Sequence, residues 1–96
     1  MTILTLLFLL FQIPQAPSVK LVWKASISQN VGSYRILRSS TAGGPYVRIA
    51  LGITGTSYTD KAVVAGKTYY YVARADCATC DPAISKNSDQ AKAVIP

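Results

Sequence analysis

Short segments in which apolar and polar residues alternate recur along most of this chain, separated by clusters of glycine, proline, serine and asparagine. Alternation with a period of two is typical of strands that bury one face. No stretch carries the apolar stripe of an amphipathic helix. Strands that follow one another every ~8–12 residues predict an all-β sandwich or barrel. We therefore expect strands at residues 19–24, 34–38, 46–51, 57–59, 68–75 and 89–95.

An apolar leader precedes Lys20, the first charged residue. Its apolar run, residues 3–11, is too short for a transmembrane helix, which needs ~20 residues. Three interpretations stay open: a signal or membrane-targeting segment, a β-strand that packs on this domain or on a neighbouring copy, and a gene-boundary artefact. We divide the chain into this leader, residues 1–16, and one domain, residues 17–96. An assembly strand between copies would act through Leu6, Phe8, Leu10 and Phe11.

The net charge of +6 raises the question of a polyanionic partner. The ten lysines and arginines are spaced singly, however, with no run of three. Modules that bind nucleic acids usually cluster their basic residues on one element and interleave them with aromatic residues. We therefore interpret these cations as ordinary surface charges and expect no nucleic-acid partner.

The residue types needed for catalysis are sparse. The chain has no histidine, which excludes histidine-dependent triads and histidine-containing zinc sites within it. Its four acidic residues are Asp60, Asp76, Asp81 and Asp89, which we interpret as turn residues and solvated charges. We expect no enzyme activity and no catalytic, cofactor or metal site.

Two cysteines, Cys77 and Cys80, form a C-x-x-C pair after the longest predicted strand. A local disulfide is the favoured interpretation, and it would indicate an oxidising compartment. Free thiols, half of a zinc site completed by a second copy, and a thioredoxin-like redox centre stay open. The redox centre is the least favoured, because its motif opens a helix and this pair follows a strand.

Several segments together resemble the fibronectin type III domain of bacterial and phage proteins. Residues 19–26, with Trp23, are similar to strand B, residues 32–38 to strand C, residues 43–46 to the C–C′ turn, and residues 56–60 to strand E. Val63, Gly66 and Tyr69 match the spacing of the family's E–F corner, where the resemblance implies that the tyrosine hydroxyl bonds to the main chain. The resemblance covers residues 16–96 and implies an immunoglobulin-like β-sandwich.

The family's strand A has no recognisable counterpart in this sequence. Either residues 7–13 supply it, or the domain lacks it and exposes a sheet edge on which another chain could pair. Strand F of the family corresponds to residues 68–75. Alternation within strands B, C and F predicts which residues form the core: Leu21, Trp23, Tyr34, Ile36, Tyr69 and Tyr71.

Strands C and F are neighbours in this fold, so their outward residues form one face. The predicted face consists of Arg35, Leu37, Tyr70, Val72 and Arg74. Arginine and tyrosine are enriched in binding hot spots, which favours a partner surface. The alternative is cross-strand packing that only stabilises the sheet.

The leading hypothesis is a non-catalytic interaction or structural module of an extracellular, cell-surface or virion-surface structure. One alternative is a self-assembling filament or coat subunit that uses residues 3–13 as a strand between copies. The other is an accessory domain of a secreted enzyme, since the family occurs beside glycosidase domains. The expected partners are another protein or further copies of the chain, in the latter case a homo-oligomer, with no stable transmembrane span.

Overall fold

The computed structural model describes the backbone of residues 6–12 and the full residues 16–26 and 30–96. Within these ranges it contains strands and no helix. The strands are β1 (Leu6–Gln12), β2 (Pro17–Trp23), β3 (Ser33–Ser39), β4 (Val47–Ile53), β5 (Ser57–Asp60), β6 (Thr68–Asp76) and β7 (Ala91–Val94). They form a first sheet of order β1-β2-β5 and a second sheet of order β4-β3-β6-β7. Every pairing is antiparallel, so the predicted all-β sandwich is confirmed.

Strand β1 comes from the apolar leader. It pairs along its whole length with β2 of the same chain, from Leu6 opposite Trp23 to Gln12 opposite Pro17. Strand β1 of the leader, residues 1–16, therefore supplies the missing strand A of the sandwich. Residues 1–5 and 13–15 lie outside the described residues. So do the side chains of Leu6, Phe8, Leu10 and Phe11, through which an assembly strand would act.

The core lies between the two sheets. All six residues predicted for it are buried: Leu21, Trp23, Tyr34, Ile36, Tyr69 and Tyr71. The rings of Trp23 and Tyr34 meet edge to face with centroids 5.6 Å apart, a favourable arrangement for aromatic pairs. Small residues face them from β6 and β7, among them Ala73 and Ala93. These alanines leave room between the sheets for the large rings of the other strands.

A buried carboxylate joins the two sheets. Asp60, at the end of β5, accepts hydrogen bonds from Arg38 Nη1 at 2.8 Å, from the Tyr71 hydroxyl at 2.7 Å and from the backbone N–H of Ala62 at 3.0 Å. Arg38 and Tyr71 belong to the second sheet, and the Arg38 guanidinium also lies over the Tyr69 ring, 5.2 Å from its centroid. The prediction of a solvated Asp60 is wrong, because these donors replace the water that a carboxylate loses on burial.

The connection from β5 to β6 has the expected corner. The backbone N–H of Val64 donates to the hydroxyl of Tyr69 at 2.9 Å, as the resemblance implied. Gly66 adopts a φ of +82°, a conformation that favours glycine, and its N–H donates to the Ile95 carbonyl at 2.9 Å. The corner thus ties the connection to the residue that follows β7.

Strand β4 is longer and less regular than predicted. We expected a turn from Gly52, but β4 continues to Ile53. The register between β3 and β4 shifts twice. At the first shift, Tyr34 lies opposite Ile53 and Ile36 lies opposite Ala50. Three residues of β4 span two of β3 there, and Gly52 takes a φ of +72°. The glycine therefore forms part of a bulge and not of a turn.

Removing residues 2–13 uncovers the edge of β2. We expect the shortened chain to unfold at a lower temperature and to associate through the exposed edge, because an unpaired edge strand offers free N–H and C=O groups. Thermal unfolding and analytical ultracentrifugation of both chains measure this. A shortened chain that is monomeric and equally stable contradicts the pairing of β1 with β2.

Stability should fall at alkaline pH because of Tyr71. Burial, and then the hydrogen bond to Asp60, raise the pKa of Tyr71 above its ordinary value of 10.0. The folded chain therefore holds this proton where the unfolded chain loses it, and stability falls above about pH 10 by up to ~1.4 kcal/mol per pH unit.

Tyr71→Phe removes this titration and also a hydrogen bond to a charged group. At pH 7 the variant should be less stable by ~1.5–3 kcal/mol. Its deficit should shrink as the pH rises from 9 to 11 in urea titrations, because only the wild type loses stability through the titration of residue 71. All other tyrosines and the lysines are common to both proteins, so their titration cancels in the comparison. A deficit that stays constant across this range contradicts the role of Tyr71.

Candidate functional site: the outer face of the second sheet

The candidate site is the side of the second sheet that is turned away from the first sheet, which we call the outer face. Residues directly opposite each other on antiparallel strands share a face. Arg35 lies opposite Arg74, and Leu37 lies opposite Val72, so the register places all five predicted residues, including Tyr70 opposite Ser39, on this face. Two further cations join them, Arg48 opposite Leu37 and Lys92 opposite Tyr70.

Arg35 forms an ion pair on this face with Asp76, at the end of β6. Its Nε donates to the two carboxylate oxygens at 3.0 and 3.2 Å, and its Nη2 lies 2.9 Å from Oδ1. The two side chains keep 21% and 19% of their surface exposed. Such a fork holds the guanidinium in one orientation, although a pair this exposed adds little to stability.

Arg74 is the direct cross-strand neighbour of Arg35. Its Nε donates to the side-chain oxygen of Asn87, in the connection between β6 and β7. Asn87 is neutral, so this contact orients the guanidinium and leaves its charge uncompensated. The outer face thus holds four cations and, among its described residues, one carboxylate, that of Asp76.

The prediction that Val72 lies on an accessible face is wrong, since the side chain is only 2% exposed. The loop between β3 and β4 folds towards Gln90, which precedes β7 and lies next to this position. The N–H of Gly43 donates to Gln90 Oε1 at 2.7 Å, and the Tyr46 hydroxyl donates to the same oxygen. Leu37 lies directly opposite Val72 on β3. Arg35, Leu37, Tyr70 and Arg74 are all half-buried.

The connection from β6 to β7 closes one end of the outer face. Cys77 and Cys80 form a disulfide with Cα atoms 5.3 Å apart, the favoured interpretation of the pair. The N–H of Cys77 donates to the Ala83 carbonyl at 2.8 Å, which folds the segment back along β6. Between this segment and the outer face lies an open depression of about 390 Å³. Its lining includes Ser33, Arg35, Asp76, Cys77, Ala83 and Ile84.

Sequence reasoning missed two serines that complete this connection. Ser85 and Ser88 are buried, and their hydroxyls accept hydrogen bonds from the N–H groups of Ala75 and Ala73, each at 2.8 Å. Their own N–H groups donate to the carbonyls of the same two alanines. The serines therefore replace a strand partner for β6. The only signal in the sequence is their spacing of three residues, which is common in loops.

The chemistry that this arrangement supports is binding. Asp60 is fully engaged by its three donors and Asp76 by Arg35, while Asp81 and Asp89 are exposed. The described residues contain no group of three or more side chains that could hold a metal ion. No helix that is long and apolar enough to cross a membrane is present among the described residues. Fixed guanidiniums beside aromatic and aliphatic side chains suit recognition of another surface.

Comparisons with known proteins agree with this architecture. A fibronectin type III-like protein from Clostridium thermocellum is 34% identical to this chain. The match covers 93% of this chain and 88% of that chain, with a TM-score of 0.75. A fibronectin type III domain of a human protein is 19% identical over 96% of this chain and 72% of that chain, with a TM-score of 0.70. No family model and no curated protein matches.

A pectate lyase from Erwinia chrysanthemi, solved in complex with tetragalacturonic acid, also contains a similar fold. It is 19% identical, with a TM-score of 0.74 over 95% of this chain. The chain spans 28% of the length of that enzyme. At this identity the likeness concerns the fold alone.

Gln90 should control the position of the β3–β4 loop. Gln90→Ala removes the oxygen that accepts from Gly43 and Tyr46, so the Gly43 amide should exchange its hydrogen at least ~10-fold faster. Gln90→Glu keeps an acceptor oxygen and serves as the matched control, with exchange close to that of the wild type. Equal protection in Gln90→Ala and the wild type contradicts the contact.

Proposed function

Because the chain belongs to the fibronectin type III family, we propose that it is a non-catalytic module that binds a protein partner through the outer face of its second sheet. The observation that carries this proposal is the register between β3 and β6. It gathers Arg35, Leu37, Tyr70 and Arg74 on one rigid face, with two guanidiniums already oriented by neighbouring side chains.

Rigid side chains lose little conformational entropy when a partner binds. Arg35 is held by Asp76 and Arg74 by Asn87, so part of the ordering cost is already met in the free protein. Tyr70 offers an aromatic ring with few rotatable bonds on the same face. These properties are typical of the residues that dominate binding energy in protein interfaces.

The disulfide supports a location outside the cytosol. Cys77 and Cys80 are joined in the structure, and disulfides persist mainly in oxidising compartments. We therefore propose an extracellular, cell-surface or virion-surface setting for the module.

The similarity between this chain and part of a pectate lyase favours a second candidate function, an accessory domain of a secreted enzyme. In that setting the outer face would contact a neighbouring catalytic domain within a longer polypeptide. The self-assembly hypothesis has a further requirement: residues 6–12 would have to leave β2 before they could pair with another copy.

Site-specific photo-crosslinking in the producing cells tests the main proposal. A benzophenone amino acid replaces Tyr70 on the outer face, or Thr59 as a matched position on the exposed side of the first sheet. We expect a crosslinked protein from position 70 and none from position 59. An excess of unlabelled wild-type chain should abolish the crosslink.

The competitor carrying Tyr70→Ser and Arg74→Ser gives the decisive comparison. It should fail to compete while retaining a cooperative thermal transition. Equal crosslinking from both positions, or full competition by this folded double variant, overturns the proposal. A crosslink to a catalytic domain of the same polypeptide supports the accessory-domain function instead.

A further inference from the structure

We infer that Arg35 and Arg74 together form a binding site for a carboxylate group on an acidic segment of the partner protein. This inference rests on the proposed function of the outer face and names the chemistry of its partner. Its basis is the arrangement of charge, hydrogen-bond donors and apolar surface around these two residues.

The first argument is the like-charge pairing. Arg35 and Arg74 lie directly opposite each other on β3 and β6, where side chains approach closely. Like charges in this relation destabilise an antiparallel pair. Asp76 offsets the charge of Arg35, and Asn87 offers Arg74 only a neutral oxygen. One positive charge is therefore left over, and a ligand carboxylate would neutralise it.

The second argument is the supply of free donors. A guanidinium carries five N–H donors. Asp76 engages Nε and Nη2 of Arg35, and Asn87 engages Nε of Arg74. Nη1 of Arg35 and both Nη atoms of Arg74 are thus left for a ligand among the described contacts. Guanidinium donors in a fixed fork match the two oxygens of a carboxylate.

The third argument is the surface around the pair. On one side lies the depression of about 390 Å³ lined by Arg35, Asp76 and Ile84, large enough to receive a side chain. On the other side Leu37 and Tyr70 supply apolar and aromatic surface. Carboxylates interspersed with apolar side chains are features of an acidic protein segment.

Charge complementarity extends beyond the pair. Arg48 and Lys92 flank the face on β4 and β7, and both are exposed. Each of the four strands of the second sheet thus contributes one cation to the outer face.

The test measures binding of a fluorescent random copolymer of glutamate and tyrosine to the full chain by anisotropy at low ionic strength. We expect saturable binding that weakens as salt is added. Arg35→Gln with Arg74→Gln should weaken it at least ~10-fold, equivalent to about 1.4 kcal/mol. Arg74→Gln alone, which keeps the Arg35–Asp76 ion pair, should weaken it ~3–10-fold.

The matched control is Lys61→Gln with Lys67→Gln, which removes the same net charge from exposed positions between β5 and β6. This control should bind nearly as well as the wild type. Equal weakening by both double variants overturns the inference, because it shows a diffuse charge effect. Tighter binding of polygalacturonate or of duplex DNA than of the copolymer also overturns it.

The crosslinking experiment separates the two proposals. A partner that crosslinks from position 70 while the copolymer fails to bind refutes the carboxylate site and leaves the proposed function standing. Copolymer binding that depends on Arg74, with no crosslink from position 70, contradicts the proposed function and the assignment of the carboxylate to a protein partner, and it leaves Arg35 and Arg74 as a carboxylate site alone.

Discussion

The carboxylate of Asp60 forms a polar contact that holds the two sheets of this sandwich together. It lies at the end of β5 in the first sheet and is nearly inaccessible, yet it binds Arg38 and Tyr71 from the second sheet. Burial of an unpaired carboxylate would cost several kcal/mol. Asp60 gains its partners Arg38 and Tyr71 only when both sheets are in place. The hydrophobic core supplies most of the driving force, and Asp60 restricts how the sheets can face each other.

The same constraint links the core to the outer face. Arg38 and Tyr71 point inward from β3 and β6, so their neighbours in the same strands, Leu37 and Tyr70, must point outward. A shift of either strand by one residue would move a charged or polar side chain into the core and abolish the contact with Asp60. The positions of the candidate binding residues therefore follow from the packing of the interior.

Local periodicity determined what could be predicted from the sequence. It identified β2 to β7 and the six core residues, whereas a strand was one of three open interpretations of the leader. The spacing of Val63, Gly66 and Tyr69 indicated, through the family resemblance, the corner that Tyr69 closes. The failures involve contacts between distant parts of the chain. Alternation did not predict that Val72 is buried, nor that the β3–β4 loop binds Gln90, more than forty positions away. No pattern within one strand contains that information.

The serines that follow the disulfide have a consequence for how the chain tolerates change. Ser85 and Ser88 satisfy the backbone of β6 at Ala75 and Ala73 without help from the intervening loop tip. Changes in residues 78–82 that keep Cys80 and its disulfide should therefore leave the hydrogen bonds of β6 at these two positions intact. The fold thus separates the loop tip from the hydrogen-bonded base of the connection, and engineering can diversify the positions around Cys80 at small energetic cost.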